Sequence, residues 1–115
     1  MAMPQDLAPS PKQGGDVSVF FDSDETLIRL AGEVDLSLSD SLDFVAEHAT
    51  KRDYPVRVDV SEVTFIDSTG LAFLGRLAAA GHAAGWAPHI SGASPVVRDT
   101  IQISGLTCVL DLTTD

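Results

Sequence analysis

The chain has 115 residues, of which 44% are hydrophobic and 6% aromatic. This length suits one domain with a core built mainly of aliphatic side chains. Seven basic residues against seventeen acidic ones give a formal net charge of −10, which repels phosphate backbones and anionic lipids, so neither nucleic acid nor a membrane surface is expected as a partner. A protein surface rich in lysine and arginine would be attracted, although excess acid also serves solubility alone.

The remaining composition argues against a metal-dependent, membrane-spanning or secreted protein. The single cysteine, Cys108, lies in the apolar run Leu106–Leu110, which predicts a buried structural thiol in a strand. His48, His82 and His89 have no spacing typical of metal ligands, so no metal or other cofactor is expected. Because the chain has no hydrophobic run approaching about 18 residues and no signal-peptide pattern, the cytoplasm is the expected location.

A tail and a β-hairpin precede the first predicted helix. Residues 1–15 contain prolines and glycines but little apolar content, so we expect a flexible N-terminal tail and a folded domain over residues 16–115. Residues 17–21 and 26–34 are rich in β-branched and large apolar side chains, and the polar residues 22–25 separate them. This pattern favours a hairpin in which the second strand is longer.

Two helices and one strand are predicted next. Apolar residues recur with helical spacing after the hairpin, and Ser37 or Ser39 stands where an N-cap is needed. These apolar residues are Leu38, Leu42, Val45, Ala46 and Ala49. Residues 56–60 alternate between valine and a polar residue, which is the period of a strand with one buried face. The segment Ser68–Ala84 predicts a second helix that stops at Gly85.

The last third of the chain predicts a strand, a helix and a closing strand. Trp86–Ser91 is a short strand in which Pro88 favours an edge position or a late start. Ser94 as N-cap and Gly105 just past the end bracket a third helix, and Leu106–Leu110 is the expected final strand. The order β-β-α-β-α-β-α-β predicts an α/β or α+β fold, a mixed sheet with helices packed mainly on one face.

The segment Phe65–Leu71 carries the main functional signal. It places Ser68 at the N-terminus of the second helix, where unpaired backbone N–H groups and the helix dipole favour an anion. Asp67, Ser68 and Thr69 can each cap this helix through a side-chain oxygen, and Gly70 allows a close turn of the backbone. A helix cap with no further role explains the same residues, so the segment alone leaves both interpretations open.

Three segments occur in one order along the chain. They are Gly32–Asp35 before the first helix, residues 65–71, and Ser94–Arg98 followed by Ser104–Leu106. Together they resemble a STAS domain of the bacterial anti-sigma factor antagonist family. The resemblance extends from residue 17 to about residue 112, nearly the whole predicted domain, and it implies a STAS-like sheet of the order given above.

The resemblance also implies a regulatory site. In that family the serine after the motif's aspartate is phosphorylated by a partner anti-sigma factor that is itself a serine kinase, which corresponds to Ser68. The implied partner-binding residues are Asp35, Asp67, Ser68, Thr69 and Gly70. The position of Thr69 is often serine in the family, a departure that leaves Ser68 unaffected. A serine phosphatase is a further expected partner, and the released sigma factor would regulate transcription, as in stress response or sporulation.

Two structural expectations accompany this resemblance. A monomer or a weak dimer is expected. The family pattern has one more C-terminal helix after the last strand, whereas this sequence ends at Asp115, so either a minimal domain or a truncated one is expected. For Asp35, a role in positioning the kinase's nucleotide or the serine hydroxyl and a role as a plain helix cap are both open.

Enzymatic alternatives fit the sequence less well, so we expect a non-enzyme. A nucleophilic Ser68 would need a base, but no Gly-x-Ser-x-Gly motif surrounds it, and His82 lies fourteen residues along the helix, about 21 Å away. Asp59 could act as the acceptor of a phospho-aspartate receiver, yet the acids within residues 22–25 fall in a hairpin turn and no lysine follows Lys51. The sequence therefore lacks two of three parts of a receiver.

Two alternatives stay open at this stage. Hydrolysis would require His48 or His89 to lie within hydrogen-bond reach of the Ser68 hydroxyl. A constitutive STAS scaffold or sensor module, in which Ser68 is never phosphorylated, is the stronger competitor.

Overall fold

The computed structural model describes residues 14–52 and 54–112. The predicted tail, residues 1–15, lies outside these ranges except for Gly14 and Gly15, so the division into tail and domain stays a prediction. Within the described ranges, no helix combines the length and the apolar content needed to cross a membrane.

A five-stranded mixed sheet organises the fold. Its strands are β1 Asp16–Phe21, β2 Thr26–Val34, β3 Val56–Ile66, β4 His89–Ser91 and β5 Asp111–Leu112. They lie in the order β1-β2-β3-β4-β5, with β1 antiparallel to β2 and every later pair parallel. The hairpin of β1 and β2 is as predicted, and β2 is the longer strand. The α/β fold class and its element order are therefore confirmed.

Three α-helices connect the parallel strands and form the core with them. They are α1 Ser39–Arg52, α2 Ser68–Ala84 and α3 Pro95–Ile103. Their buried side chains join alternate side chains of the strands in one hydrophobic cluster. The largest members are Ile28, Leu30, Leu42, Phe73, Leu74, Leu77, Ile90 and Ile101. One face of the sheet is thus covered by the helices.

The other face of the sheet carries charged side chains. Arg29 on β2 pairs with Asp59 on β3 at 3.3 Å, and Arg57 on β3 pairs with Glu25 at 3.5 Å. Partly exposed pairs of this kind stabilise a fold by only about 0–1 kcal/mol. Their polarity is consistent with a face that the helices leave open, as the sequence predicted.

β3 is longer than the predicted segment 56–60. It continues to Ile66 and shifts register twice against β2, between Arg29 and Ala31 and between Gly32 and Glu33. These irregularities change which side chains face the core, because the buried positions advance from Val60 to Val63 and Ile66 instead of strictly alternating. A prediction based on the two-residue period alone therefore ends this strand too early.

The second helix has the predicted bounds, Ser68–Ala84, and ends at Gly85, whose φ of 94° is left-handed. Near this end, α2 packs closely on Trp86, because a Cβ at Gly81 would lie 2.6 Å from the indole ring. The amide of Trp86 also donates to the Gly81 carbonyl at 2.8 Å. This contact fixes the half-buried indole against the C-terminal turn of α2.

The remaining predictions for the last third are partly right. α3 begins after the predicted cap Ser94, and β4 starts late, directly after Pro88. The prediction that Leu106–Leu110 forms the last strand is wrong, because Leu106–Cys108 is a 3-10 turn and β5 follows at Asp111–Leu112.

The same turn overturns the prediction of a buried thiol. Gly105 begins the turn with a left-handed φ of 84°, and the chain then curls so that Leu106 and Leu110 contact the core. These two leucines are four residues apart, which is the spacing of a helical turn and not of a strand. Cys108 consequently points away from the core and is exposed.

Candidate functional site

The predicted site lies where β2 and β3 end at the same edge of the sheet. Val34 and Ile66 are paired across the two parallel strands, whose backbones in such sheets run about 4.8 Å apart. Asp35 and Asp67 follow these residues directly, and the Asp67 amide donates to the Val34 carbonyl at 3.1 Å. The fold therefore brings the two predicted aspartate positions side by side.

Asp67 is the residue that caps α2. Its backbone is extended, and its Oδ1 accepts a hydrogen bond from the Thr69 amide at 2.8 Å. An aspartate at this position also complements the positive end of the helix dipole. Of the three residues that could cap the helix, Asp67 alone does so, and Thr69 contributes its amide.

Ser68 is consequently not needed as a cap. It is the first residue of α2 and it is exposed. Within the described parts of the chain, no hydrogen bond engages its hydroxyl. The side chain is thus accessible and free of a structural role, at a helix end that accommodates negative charge.

Asp35 caps the short 3-10 turn Leu36–Leu38 that leads into α1. Its Oδ1 accepts hydrogen bonds from the Ser37 amide at 3.0 Å and from the Ser37 hydroxyl at 2.6 Å. The cap predicted at Ser37 or Ser39 is therefore supplied earlier, by Asp35, because the turn starts there. Both bonds use Oδ1, so the other carboxylate oxygen is not engaged by them. Asp35 remains partly exposed.

Gly70 lies beneath the surface and determines how α2 approaches the sheet. It is buried, and a Cβ at this position would lie 2.5 Å from the Ile66 side chain and 2.8 Å from that of Val34. Since real side chains do not tolerate such distances, only glycine allows the first turn of α2 to pack on the strand ends. Its contribution to the site is to position the residues above it.

Two large apolar side chains lie at this edge of the sheet, and the sequence reasoning missed them. Leu36 is 74% exposed and Phe65 49%. Phe65 is the last residue but one of β3 and Leu36 is the second residue after β2, so both lie at the edge that carries Ser68. The available signal was Phe65, which alternates with the buried Ile66 and must face outward. Exposed apolar groups around a polar centre are typical of a protein interaction surface.

A cavity of about 400 Å³ opens beside Ser68, between α1 and α2. It is lined by Ser39, Leu42, Asp43, Ser68, Thr69, Ala72, Phe73 and Arg76. Arg76 pairs with Asp43 across the two helices at 2.9 Å. The sequence reasoning did not single out either residue, because their proximity depends on how α1 packs against α2.

The histidines make their contacts away from Ser68. His48 Nδ1 contacts the Phe44 carbonyl at 2.9 Å, His89 Nδ1 contacts the Asp111 carboxylate at 2.9 Å, and His82 lies in the last turn of α2. None of these three histidines lines the cavity beside Ser68. Among the described residues, moreover, no three His, Cys, Asp or Glu side chains converge as a metal site would require.

Asp59, the residue weighed as a phosphate acceptor, has a local structural role. Its Oδ1 accepts from the Ser61 amide at 2.9 Å, where the register of β3 shifts. Burial acts to raise the pKa of Asp59, but hydrogen bonds from Ser61 and from the Arg29 guanidinium outweigh it, and the net pKa is lowered. A carboxylate held in this way satisfies backbone and salt-bridge partners on the open face of the sheet.

Comparison with known proteins identifies the family. The sequence profile described as Mlab, STAS domain, matches residues 17–112. The chain belongs to the STAS family. No curated protein sequence matches it.

Solved structures share this STAS fold at low sequence identity. An anti-sigma factor antagonist from Mycobacterium paratuberculosis is 21% identical with a TM-score of 0.75, over 93% of this chain and 92% of that one. SpoIIAA in its unphosphorylated form is 18% identical with a TM-score of 0.68, over 87% and 89%. The Bacillus cell fate determinant SpoIIAA in its phosphorylated form is 23% identical with a TM-score of 0.65, over 87% and 93%. The chain is therefore structurally similar to anti-sigma factor antagonists.

Proposed function

We propose that this STAS protein is an anti-sigma factor antagonist that is switched by phosphorylation of Ser68. In its unphosphorylated form it binds an anti-sigma factor that is a serine kinase, and this binding releases a sigma factor. The observation that carries the proposal is the exposed hydroxyl of Ser68 on the first residue of α2, whose cap is supplied by Asp67 instead. The protein itself is a substrate and a binding partner, not an enzyme.

The binding surface is the strand edge around Ser68. Leu36 and Phe65 provide exposed apolar area there, and Asp35, Asp67 and Thr69 provide polar contacts beside them. Gly70 acts from below by keeping α2 close to the strand ends. A surface of this mixed character suits a protein partner, and the acidic charge of the chain favours a partner with basic residues.

Phosphorylation changes the charge of this surface without requiring a change in the fold. The Ser68 oxygen forms a bond to the γ-phosphorus of ATP, the bond from that phosphorus to ADP breaks, and the serine proton leaves. The product carries an added charge of about −1.5 to −2. The helix N-terminus accommodates it with a gain of about 0.3–1 kcal/mol, so unfolding is not expected.

The same charge is costly at an interface. Groups that fitted a neutral hydroxyl would have to desolvate a phosphate without a matched partner, at a cost of several kcal/mol. The loss at the interface exceeds the gain at the helix end, so the phosphorylated protein dissociates from its partner. A serine phosphatase would then restore binding, and such a cycle operates in the cytoplasm.

Two comparisons support this proposal. The STAS profile matches residues 17–112, a range that includes Ser68, and one structure of the same fold is SpoIIAA in a phosphorylated form. The phosphorylation is a fact about that relative, and it makes Ser68 the first residue to test here.

The test uses the kinase-type anti-sigma factor encoded nearest to the gene of this protein. The purified chain is incubated with this kinase and ATP, and its intact mass is measured. We expect the mass gain of one phosphoryl group in the wild type and none in Ser68→Ala, while Ser94→Ala serves as a control that still gains it. An unchanged wild-type mass, with intact binding to the kinase, would favour a constitutive scaffold.

A further inference from the structure

Arg76 is the cation that shares a cavity with Ser68. Both residues line the space of about 400 Å³ between α1 and α2, and the charged residues among its lining are Arg76 and Asp43. The guanidinium of Arg76 reaches across to Asp43 Oδ1 at 2.9 Å and approaches the Leu42 carbonyl at 3.5 Å. Its charged end thus lies against α1 on the wall of this cavity.

The helix geometry brings the Arg76 guanidinium toward Ser68. The two residues are eight positions apart on α2, about 12 Å along its axis. The two positions also differ by about 80° around the helix axis. Side chains on a helix lean toward its N-terminus, so the Arg76 guanidinium lies closer to the start of α2 than its Cα does. The cavity that both residues line is the observation that brings them together.

The present partner of Arg76 is weakly held. The side chains of Arg76 and Asp43 are 48% and 62% exposed, and ion pairs this exposed are worth about 0–1 kcal/mol. A phosphoserine carries more charge than a carboxylate and offers three acceptor oxygens that suit the planar guanidinium. A phosphate that enters the same cavity therefore competes well against Asp43.

We infer that Arg76 is the internal partner of phosphorylated Ser68, and that its guanidinium exchanges Asp43 for the phosphate when the serine is modified. The inference rests on the proposed phosphorylation of Ser68 and deepens it. The exchange breaks the ion pair between α1 and α2 and leaves Asp43 without this partner on the side of α1 that borders the cavity. The phosphorylated state thereby differs from the free one on α1 as well as at the helix end.

The experiment does not depend on a kinase. Phosphoserine is placed at position 68 during translation, and the phosphate is titrated by phosphorus NMR in the full chain. Arg76→Gln is compared with Arg57→Gln. Arg57 is the matched control, because it is also 48% exposed and also pairs with a carboxylate, but on the open face near the start of β3.

We expect Arg76→Gln to move the midpoint of the phosphate titration upward by about half a pH unit, because the nearby positive charge that favours the dianion is gone. Arg57→Gln should move it by less than about a fifth of that amount. In the wild type, the side-chain NMR signals of Arg76 should shift upon phosphorylation, while those of Arg57 stay in place.

The outcomes separate this inference from the proposed function. Equal midpoints in Arg76→Gln and Arg57→Gln, or an unmoved Arg76 signal, overturn the exchange even if the kinase modifies Ser68. A protein that no kinase modifies, but whose installed phosphoserine titrates as expected, retains the exchange and loses the proposed function. As a check on folding, circular dichroism should show unchanged helical content in both arginine variants.

Discussion

Two helices of this STAS domain begin beside a serine, and the two serines have different structural roles. Ser94 is the N-cap of α3, and its Oγ accepts the Val97 amide at 3.3 Å. Ser68 stands one position later relative to its helix, because Asp67 already caps α2. A serine at an N-cap is occupied by the backbone, whereas a serine at the first helical position leaves its hydroxyl available for chemistry.

The largest effect expected from this difference concerns partner binding. Ser68→Asp places a charge where the proposed interface fits a neutral group, so its Kd for the proposed anti-sigma factor partner should rise about 100-fold, or about 3 kcal/mol. Ser68→Ala should bind within a few-fold of the wild type and be locked in the active form. Isothermal titration calorimetry checks both values. Tight binding by Ser68→Asp would contradict a switch by local charge.

A second, smaller effect tests what holds Ser68 in place. Gly70→Ala puts a Cβ within 2.9 Å of the Ile66 and Val34 side chains, so we expect a loss of about 1–3 kcal/mol in the free energy of unfolding. Gly75→Ala is the matched control on the same helix, since its nearest neighbour would be Leu106 at 3.9 Å. That substitution should stabilise by up to about 1 kcal/mol. Urea denaturation measures the difference, and two changes of equal sign would refute the assigned role of Gly70.

The contrast between the two serines can also be measured as stability. Ser94→Ala removes a cap and should lower the free energy of unfolding by about 1 kcal/mol. Ser68→Ala removes a hydroxyl with no structural partner and should change it by less than about 0.5 kcal/mol. Thermal denaturation followed by circular dichroism compares the two variants. If Ser68→Ala proved the more destabilising, its hydroxyl would have the structural role that is assigned here to Asp67.

The smallest effect concerns Asp59. Its carboxylate accepts a hydrogen bond from the Ser61 amide, as the Asp67 carboxylate does from the Thr69 amide. The folded pKa of Asp59 is lowered, although burial opposes this, because hydrogen bonds from Ser61 and Arg29 prevail. The associated stability is therefore present above the unfolded pKa of about 4 and is lost as the pH falls through the folded value. Asp59→Asn should cost less than about 1 kcal/mol at pH 7. Urea titrations should show this cost shrinking below pH 4, and a constant cost would count against the ion pair.

Much of the fold was predictable because local signals and tertiary structure agree. Ser68–Ala84 is bounded by an aspartate before it and a glycine after it, and both ends of α2 follow these signals. The position of Ser68 at a helix start was predictable in the same way. The choice of Asp67 over Ser68 as the cap was not, since both residue types cap well and the decision depends on where β3 ends.

The failures have a common cause in long-range packing. The segment Leu106–Leu110 has the apolar content of a strand, but Gly105 turns the chain and only Leu106 and Leu110 of the five pack into the core. Arg76 and Asp43 are 33 positions apart in the chain, so their pairing follows from the contact of α1 with α2. No periodicity within a single element carries that information.

The close packing of Gly81 on Trp86 gives this protein a built-in optical probe. Trp86 is the single tryptophan, and it lies beyond the far end of a 17-residue helix, about 25 Å from Ser68. Its fluorescence should therefore follow melting of the whole domain and ignore the esterification of a distant serine. A fluorescence measurement can then distinguish a phosphorylated protein that stays folded from a protein that has unfolded.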